Sequence, residues 1–227
     1  MVVNMSTKNM KKTIIAIDGP VASGKSSVGE KVAARVGCKF LDTGLMYRAV
    51  AWLSGELGVE TSDARGLKDL AADMEITIRG ARILVDGEDV STLLRRKTVE
   101  ARSSLVATIP DVRKTLVAKQ QAMAAGGGIV MVGRDIGTVV LPNAPLKIYL
   151  DAPISERARR RHQELVERTP NVLEQDVFRD LEERDKTDSE RKASPLQPAD
   201  DAIVIDTGEL SLDNVVDIVV DLIPDES

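Results

Sequence analysis

Five short apolar runs recur along the 227-residue chain: 13–17 (TIIAI), 39–42 (KFLD), 128–132 (GIVMV), 146–150 (LKIYL) and 202–205 (AIVI). Runs with so little polar alternation suit strands covered on both faces, as in a parallel sheet. Helical spacing fills most of the intervals between them, which predicts a doubly wound α/β core. The last helical stretch, about 211–223, sets Leu212, Val215, Val216, Val219, Val220 and Ile223 along one side, and Pro224 marks its end.

One segment breaks this rhythm. Residues 74–95 (MEITIRGARILVDGEDVSTLLR) alternate on both sides of Arg79-Gly80 and carry a second turn signal at Asp86-Gly87. The pattern predicts a small antiparallel hairpin or three-stranded sheet. It is either an inserted subdomain spanning roughly 61–96 or an edge hairpin of the main sheet; we take the first as the expectation. Residues 1–11 form a polar tail, and the glycines at 126–128 are a flexible lead-in to a strand.

Hydrophobic residues make up 43% of the chain, enough for a well-buried core, whereas aromatic residues are only 2%. That scarcity removes the stacking platforms of single-strand nucleic-acid binders, and the net charge of −5 argues against general binding to nucleic acid or anionic membranes. A single cysteine, Cys38, and a single histidine, His162, exclude an internal disulfide and Cys- or His-cluster metal sites. Both are expected to be structural or solvent-facing. No apolar run approaches the ~18 residues of a membrane span. The N-terminus lacks a signal peptide's apolar core, so a cytoplasmic protein is expected.

Between the first run and the first helical stretch stands IIAIDGPVASGKSSVGE, residues 14–30. Gly19, Gly24, Lys25 and Ser26 fit G-x-x-x-x-G-K-[ST], the phosphate-binding loop, with a strand before it and Val28, Val32 and Val36 at helical spacing after it. Glycines let successive N–H groups converge on phosphate oxygens, and the helix beginning near Lys25 adds its unpaired donors and positive end. The loop residues Gly19, Pro20, Val21, Ala22, Ser23, Gly24, Lys25, Ser26 and Ser27 are the expected ATP site. Lys25 would reach the outer phosphates, and the Ser26 hydroxyl would sit on Mg²⁺.

The loop alone does not choose among ATPases, GTPases and kinases. The N-K-x-D segment by which switch GTPases read guanine is missing, as is the serine-glycine-glycine signature of transporter ATPases. Arginines and carboxylates instead follow strands, in LDTGLMYR (41–48), GRDIGTVV (133–140) and ERDKTDSERKASPL (183–196). These are loops expected at the carboxyl edge of the sheet, where ligands bind. A further run, ERARRRHQEL (156–165), puts Arg157, Arg160 and Arg161 on one helical face.

From about Thr13 to Ile223 these stretches, with DGEDVS in the insert, resemble the bacterial cytidylate kinases, the nucleoside monophosphate kinases that phosphorylate CMP and dCMP with ATP. The resemblance implies their fold: a five-stranded parallel sheet flanked by helices, with a small antiparallel β insert at the monophosphate end and a helical lid. The ATP-binding core would then be 12–60 and 97–227, including a lid at about 153–170, and the insert 61–96. It implies that Arg48 and Arg134 clamp the CMP phosphate, a task suited to forked guanidinium donors. Thr43 and Tyr47 would line the monophosphate pocket. Ser104, Arg113, Asp135 and Arg191 would frame the cytosine, and Arg184 with Asp188 the ribose. Arg157 and its helical neighbours would belong to a lid closing over ATP, and Lys25, Arg48, Arg134 and Arg157 would be catalytic.

The expected partners are ATP with Mg²⁺ and CMP or dCMP, with no nucleic acid and no membrane, and the chain is expected to act as a monomer. One position departs from the family pattern. Many relatives carry an acidic residue just before the GRD stretch, where it supports Mg²⁺ through water; this chain has Val132. Either Asp18 or Asp135 takes over, or the metal relies on Ser26, phosphates and water, which Mg²⁺ tolerates. The rival readings are a P-loop kinase acting on UMP, AMP or a metabolite, and a non-catalytic nucleotide-gated binding protein.

Overall fold

The computed structural model describes residues 13–79, 82–167 and 171–224. The tail expected at 1–11 lies outside the described residues, as do Gly80 of the turn expected at Arg79-Gly80, residue 81, and residues 168–170 of the expected lid. All five apolar runs are strands, each within one residue of its expected bounds: β1 (Ile14–Asp18), β2 (Lys39–Asp42), β6 (Ile129–Gly133), β7 (Leu146–Asp151) and β8 (Ile203–Asp206). They form one five-stranded parallel sheet in the order β2-β6-β1-β7-β8. The chain leaves β1 for the edge strand β2, and later inserts β6 between the two before crossing to β7. That reversal makes the carboxyl end of β1 a topological switch point, the place where open α/β sheets bind ligands.

One face of this sheet is covered by α1 (Lys25–Val36) and α8 (Leu212–Asp221). Val28, Val32 and Val36 of α1 and Val215, Val216 and Val219 of α8 join Ile15, Ile17, Val130, Val132 and Ile148 in a single apolar cluster. Each fully buried valine on such a seam stabilises the fold by about 1.5–3 kcal/mol. Gly29 lets α1 approach the sheet: a Cβ there would lie 2.5 Å from Val132 Cγ1. The helix closes at Gly37 in the left-handed conformation, with the N–H groups of Gly37 and Cys38 both reaching Ala33 O. The stripe expected on the last helix holds except at its start, where Leu212 is exposed.

The expectation that every run is covered on both faces fails at β8. Ile203 is 40% and Val204 59% exposed, because β8 is an edge strand paired only with β7. An apolar run reports strand propensity; it does not report which strand ends the sheet.

By packing, the chain divides into two compact units, Leu41–Ala125 and the remainder. The first contains α2 (Gly44–Glu56), α3 (Ala64–Asp73), α4 (Lys97–Val106) and α5 (Pro110–Ala124). Within it α2 packs on α4 and α3 on α5. It also holds β3 (Ile76–Arg79), β4 (Arg82–Val85) and β5 (Glu88–Asp89). These three form an antiparallel sheet of their own, so the edge-hairpin alternative does not hold. Asp86 and Gly87 turn the chain between β4 and β5 with φ of 51° and 85°. Two positive φ values in a two-residue loop are the signature of a type I′ hairpin. The other unit adds α6 (Ile154–Val166) and α7 (Glu174–Glu190), which pack together through Ala158, Val177 and Leu181.

Candidate active site

The phosphate loop follows β1, where Gly19, Ala22 and Gly24 all take positive φ (153°, 60° and 88°). Repeated excursions of this kind curl a short loop into a concavity lined with N–H groups. Gly19 is obligatory for space as well: a Cβ would sit 2.1 Å from Leu150 O. Lys25, the first residue of α1, is buried and donates to Pro20 O at 2.8 Å, so its ammonium lies back over the loop. The Ser23 hydroxyl is fully buried and has no hydrogen-bond partner among the described residues. Ser26 and Ser27 are exposed on the first turn of α1.

The loop's carbonyls face donors from elsewhere in the same unit. Arg157, only 5% exposed, donates through Nη1 to Val21 O (3.3 Å), through Nε to Ala152 O (3.0 Å) and through Nη2 to Asp185 Oδ2 (2.6 Å). Thr207 Oγ1 lies 3.2 Å from Ser23 O and accepts from Arg160 Nη1 at 3.0 Å. Arg161, by contrast, pairs with Glu164 on its own helix. The three arginines expected on one face therefore have different partners.

Beside the loop, Asp18 ends β1 and Gly133 ends β6 in direct register. Both Asp18 oxygens accept backbone bonds of 2.7 Å, from Ile136 N and Gly137 N. The GRD stretch is thereby turned into a single π-helical turn, Ile136–Val140. Burial pushes the Asp18 carboxyl up to about 6, against the pull of the two amides; Asp135 adds to the rise and Lys25 opposes it. Asp135 itself is buried at the head of that turn.

Arg134 points to α7. Its Nε donates to Asp188 Oδ2 at 2.9 Å, and Arg191 Nη1 lies 3.4 Å from Asp188 Oδ1. Burial pushes the Asp188 carboxyl up, but Arg134, with Arg191 and Arg184, outweighs it and holds the group below the usual carboxylate range. Arg134, Asp188 and Arg191 thus form one cluster, and Arg184 contributes its charge.

The remaining predicted substrate residues lie in the unit Leu41–Ala125. Thr43 is the buried N-cap residue of α2. Arg113 stands over the Tyr47 ring at 5.3 Å and donates to Ala107 O. Arg48 pairs with Glu100 (3.2 Å), and Ser104 Oγ lies 3.4 Å from Glu100 O. Glu100, Asp185 and Thr207 are absent from the sequence-level expectations. Thr207 carried a signal: Asp206-Thr207-Gly208 after β8 repeats Asp42-Thr43-Gly44 after β2. In both, the aspartate Oδ1 accepts the glycine N–H, at 2.8 Å and 3.0 Å.

Val132 is fully buried in the apolar cluster against Gly29, so this position serves the core. Among the described residues no three His, Cys, Asp or Glu side chains gather as a metal-ligand set. A hydroxyl on the first turn after a phosphate loop suits Mg²⁺ arriving with a nucleotide, since this ion keeps its waters and prefers phosphate oxygens.

The sequence profile of the cytidylate kinase family matches residues 15–225. The chain belongs to the cytidylate kinase family. It is 46% identical over 220 residues to a cytidylate kinase of Geobacillus kaustophilus, covering 94% of this chain and 98% of that one. A cytidylate kinase of Pelotomaculum thermopropionicum is 46% identical over 211 residues, covering 91% and 93%. Among solved structures, an uncharacterized protein from Eubacterium ventriosum superposes with a TM-score of 0.51 at 15% identity, covering 93% of this chain and 98% of that one. That last likeness speaks to the fold alone. No helix among the described residues is long and apolar enough to cross a membrane.

Proposed function

We propose that this member of the cytidylate kinase family transfers the γ-phosphate of ATP to CMP or dCMP, giving ADP and CDP or dCDP. One observation carries the reading beyond membership. The pairing of Asp18 with Gly133 sets the phosphate loop and the Arg134-Asp135 turn side by side at the carboxyl edge of the sheet, and the Asp18 carboxylate bonds the turn's amides. A site that only gates on nucleotide has no need of a second anion-binding arginine cluster beside its phosphate loop.

Transfer needs no covalent enzyme intermediate. A CMP phosphate oxygen attacks the γ-phosphorus in line as the bond to the ADP oxygen breaks. Lys25 and the loop amides spread the negative charge on the ATP side. Arg48 and Arg134 hold the acceptor phosphate, and Thr43 and Tyr47 shape its pocket. Ser104, Arg113, Asp135 and Arg191 frame the base, with Arg184 and Asp188 on the ribose. Ser26 would hold Mg²⁺, which would supply further neutralisation of the phosphate oxygens. In this reading residues 61–96 are the monophosphate-side insert, and α6 belongs to a lid that excludes water as a competing acceptor. The chain acts as a cytoplasmic monomer on small nucleotides, without nucleic acid or membrane.

Release of ADP from ATP and Mg²⁺, measured with CMP, dCMP, UMP, AMP and GMP in turn, tests the proposal. Turnover should be fastest with CMP or dCMP. Preference for UMP or AMP would assign a different kinase, and nucleotide binding without turnover on any acceptor would leave a binding protein.

A further inference from the structure

Two arginines of α6 converge on the phosphate loop, one directly and one through a buried threonine. Thr207, 3% exposed, follows β8. Its own N–H donates to Asp151 O at 2.8 Å, which fixes the residue against β7. Arg160 Nη1 donates to Thr207 Oγ1 at 3.0 Å, occupying an oxygen lone pair and leaving the hydroxyl proton to be donated elsewhere. Two carbonyls are in reach, Asp151 O at 3.0 Å and Ser23 O at 3.2 Å. Asp151 O already accepts the Thr207 N–H. The one hydroxyl proton is shared between these two carbonyls, and its contact with Ser23 O is the one that reaches the phosphate loop; a guanidinium donating to a hydroxyl makes it a stronger donor in turn.

The consequence lies on the other side of the peptide. In a trans peptide the carbonyl and the next N–H point in opposite directions. With Ser23 O held by Thr207, the Gly24 N–H points away from Thr207. The φ of 88° at Gly24 suits this arrangement. Arg157 does the same two peptide planes earlier: its bond to Val21 O turns the Ala22 N–H away from Arg157, at the residue held at φ 60°. A non-glycine residue persists in that conformation only where its surroundings dictate it.

We propose that Thr207, backed by Arg160, is a positioning residue for phosphoryl transfer, holding the Ser23–Gly24 peptide with its amide aimed at the nucleotide phosphates. The inference rests on the ATP-binding role of the loop. Thr207 touches no reacting atom; it acts through the orientation of one peptide plane.

Calorimetric titrations of wild-type, Thr207→Val and Thr207→Ser protein with ATP and, separately, with CMP test this, alongside kcat and thermal melting. Thr207→Val keeps the shape and deletes the hydroxyl. It should weaken ATP binding about tenfold and lower kcat at saturating ATP, with CMP affinity within about twofold of wild type. Thr207→Ser, which restores the donor, should recover most of both losses. Unchanged ATP affinity and kcat in Thr207→Val would overturn the proposal. So would equal losses for ATP and CMP, or a serine variant as impaired as the valine one.

If Thr207→Val fails to fold, Thr207→Ala, which deletes the hydroxyl with less bulk, makes the same comparison. Reduced ATP affinity then supports the proposal and unchanged affinity overturns it. Wild-type protein that binds ATP yet leaves CMP unphosphorylated overturns the assigned reaction and leaves the ATP-binding comparison intact.

Discussion

A Cβ on Gly19 would press on Leu150 O, whereas a Cβ on Gly24 meets nothing within 4 Å and suffers only from its φ of 88°. Gly19→Ala should therefore displace the loop and abolish ATP binding. Gly24→Ala should fold with a strain of about 1–2 kcal/mol, visible as a modest fall in Tm. Melting curves with ATP titrations separate the two. Lys25 presents a different balance, since its ammonium donates to a carbonyl of its own loop and is placed for developing charge. Lys25→Ala should keep its Tm and lose at least about 100-fold in kcat, and a loss under tenfold would remove Lys25 from the chemistry. At Asp135 the base is at stake. Cytosine offers an amine donor where uracil offers an acceptor oxygen, so a carboxylate there favours the first. Asp135→Ala should lower kcat/KM for CMP and narrow its advantage over UMP by about tenfold, consistent with the ~1–3 kcal/mol of a mismatched buried polar pair. Equal losses on both substrates would make Asp135 structural.

The contact of α6 with α7 combines an apolar seam with a buried ion pair. The Arg157 side chain is 6% exposed and its Asp185 partner 22%. Breaking such a pair leaves a desolvated carboxylate, at a cost of about 3 kcal/mol, and for a chain of this size that is roughly a 6–12 °C fall in Tm. Arg157→Ala should show this fall. It should also slow single-turnover transfer more than it weakens CMP binding, because Val21 O loses its donor as well. Replacing both partners, as Arg157→Met with Asp185→Leu, should recover much of the stability and little of the rate. Loss of CMP affinity at an unchanged rate would move Arg157 out of the ATP side altogether.

Over the whole molecule, Asp18 gives stability an unusual pH slope. Its folded pKa of about 6 stands above the ordinary value of 3.8, so between those values the folded protein holds a proton that the unfolded chain has released. The contribution is fully present below about pH 4 and is lost as pH rises through about 6, on the order of 3 kcal/mol. Asp188, held low by its arginines, works in the opposite sense: its contribution is present above the usual carboxylate range and is lost on acidification. The Tm of wild type minus that of Asp18→Asn should fall between pH 4 and 7, and NMR should find an aspartate titrating near 6. A constant difference would mean that this carboxyl ionises at its ordinary pH.

Whatever depends on neighbours along the chain could be read from the residues alone. The phosphate loop was legible because its glycines, lysine and serine act within eight residues of one another. The strands were legible because the apolar runs are short and bounded, and the Asp86-Gly87 hairpin because its turn chemistry is local. Tertiary structure alone decided which strand forms the edge, and so why Val204 is exposed while Val130 is buried. It also decided that Asp18 bonds amides 118 and 119 residues away and that Thr207 reaches Ser23 across 184. Arg157, expected in a lid over ATP, donates to Val21 O of the phosphate loop, because a guanidinium takes whatever acceptor the fold brings within reach, and only the fold sets that partner.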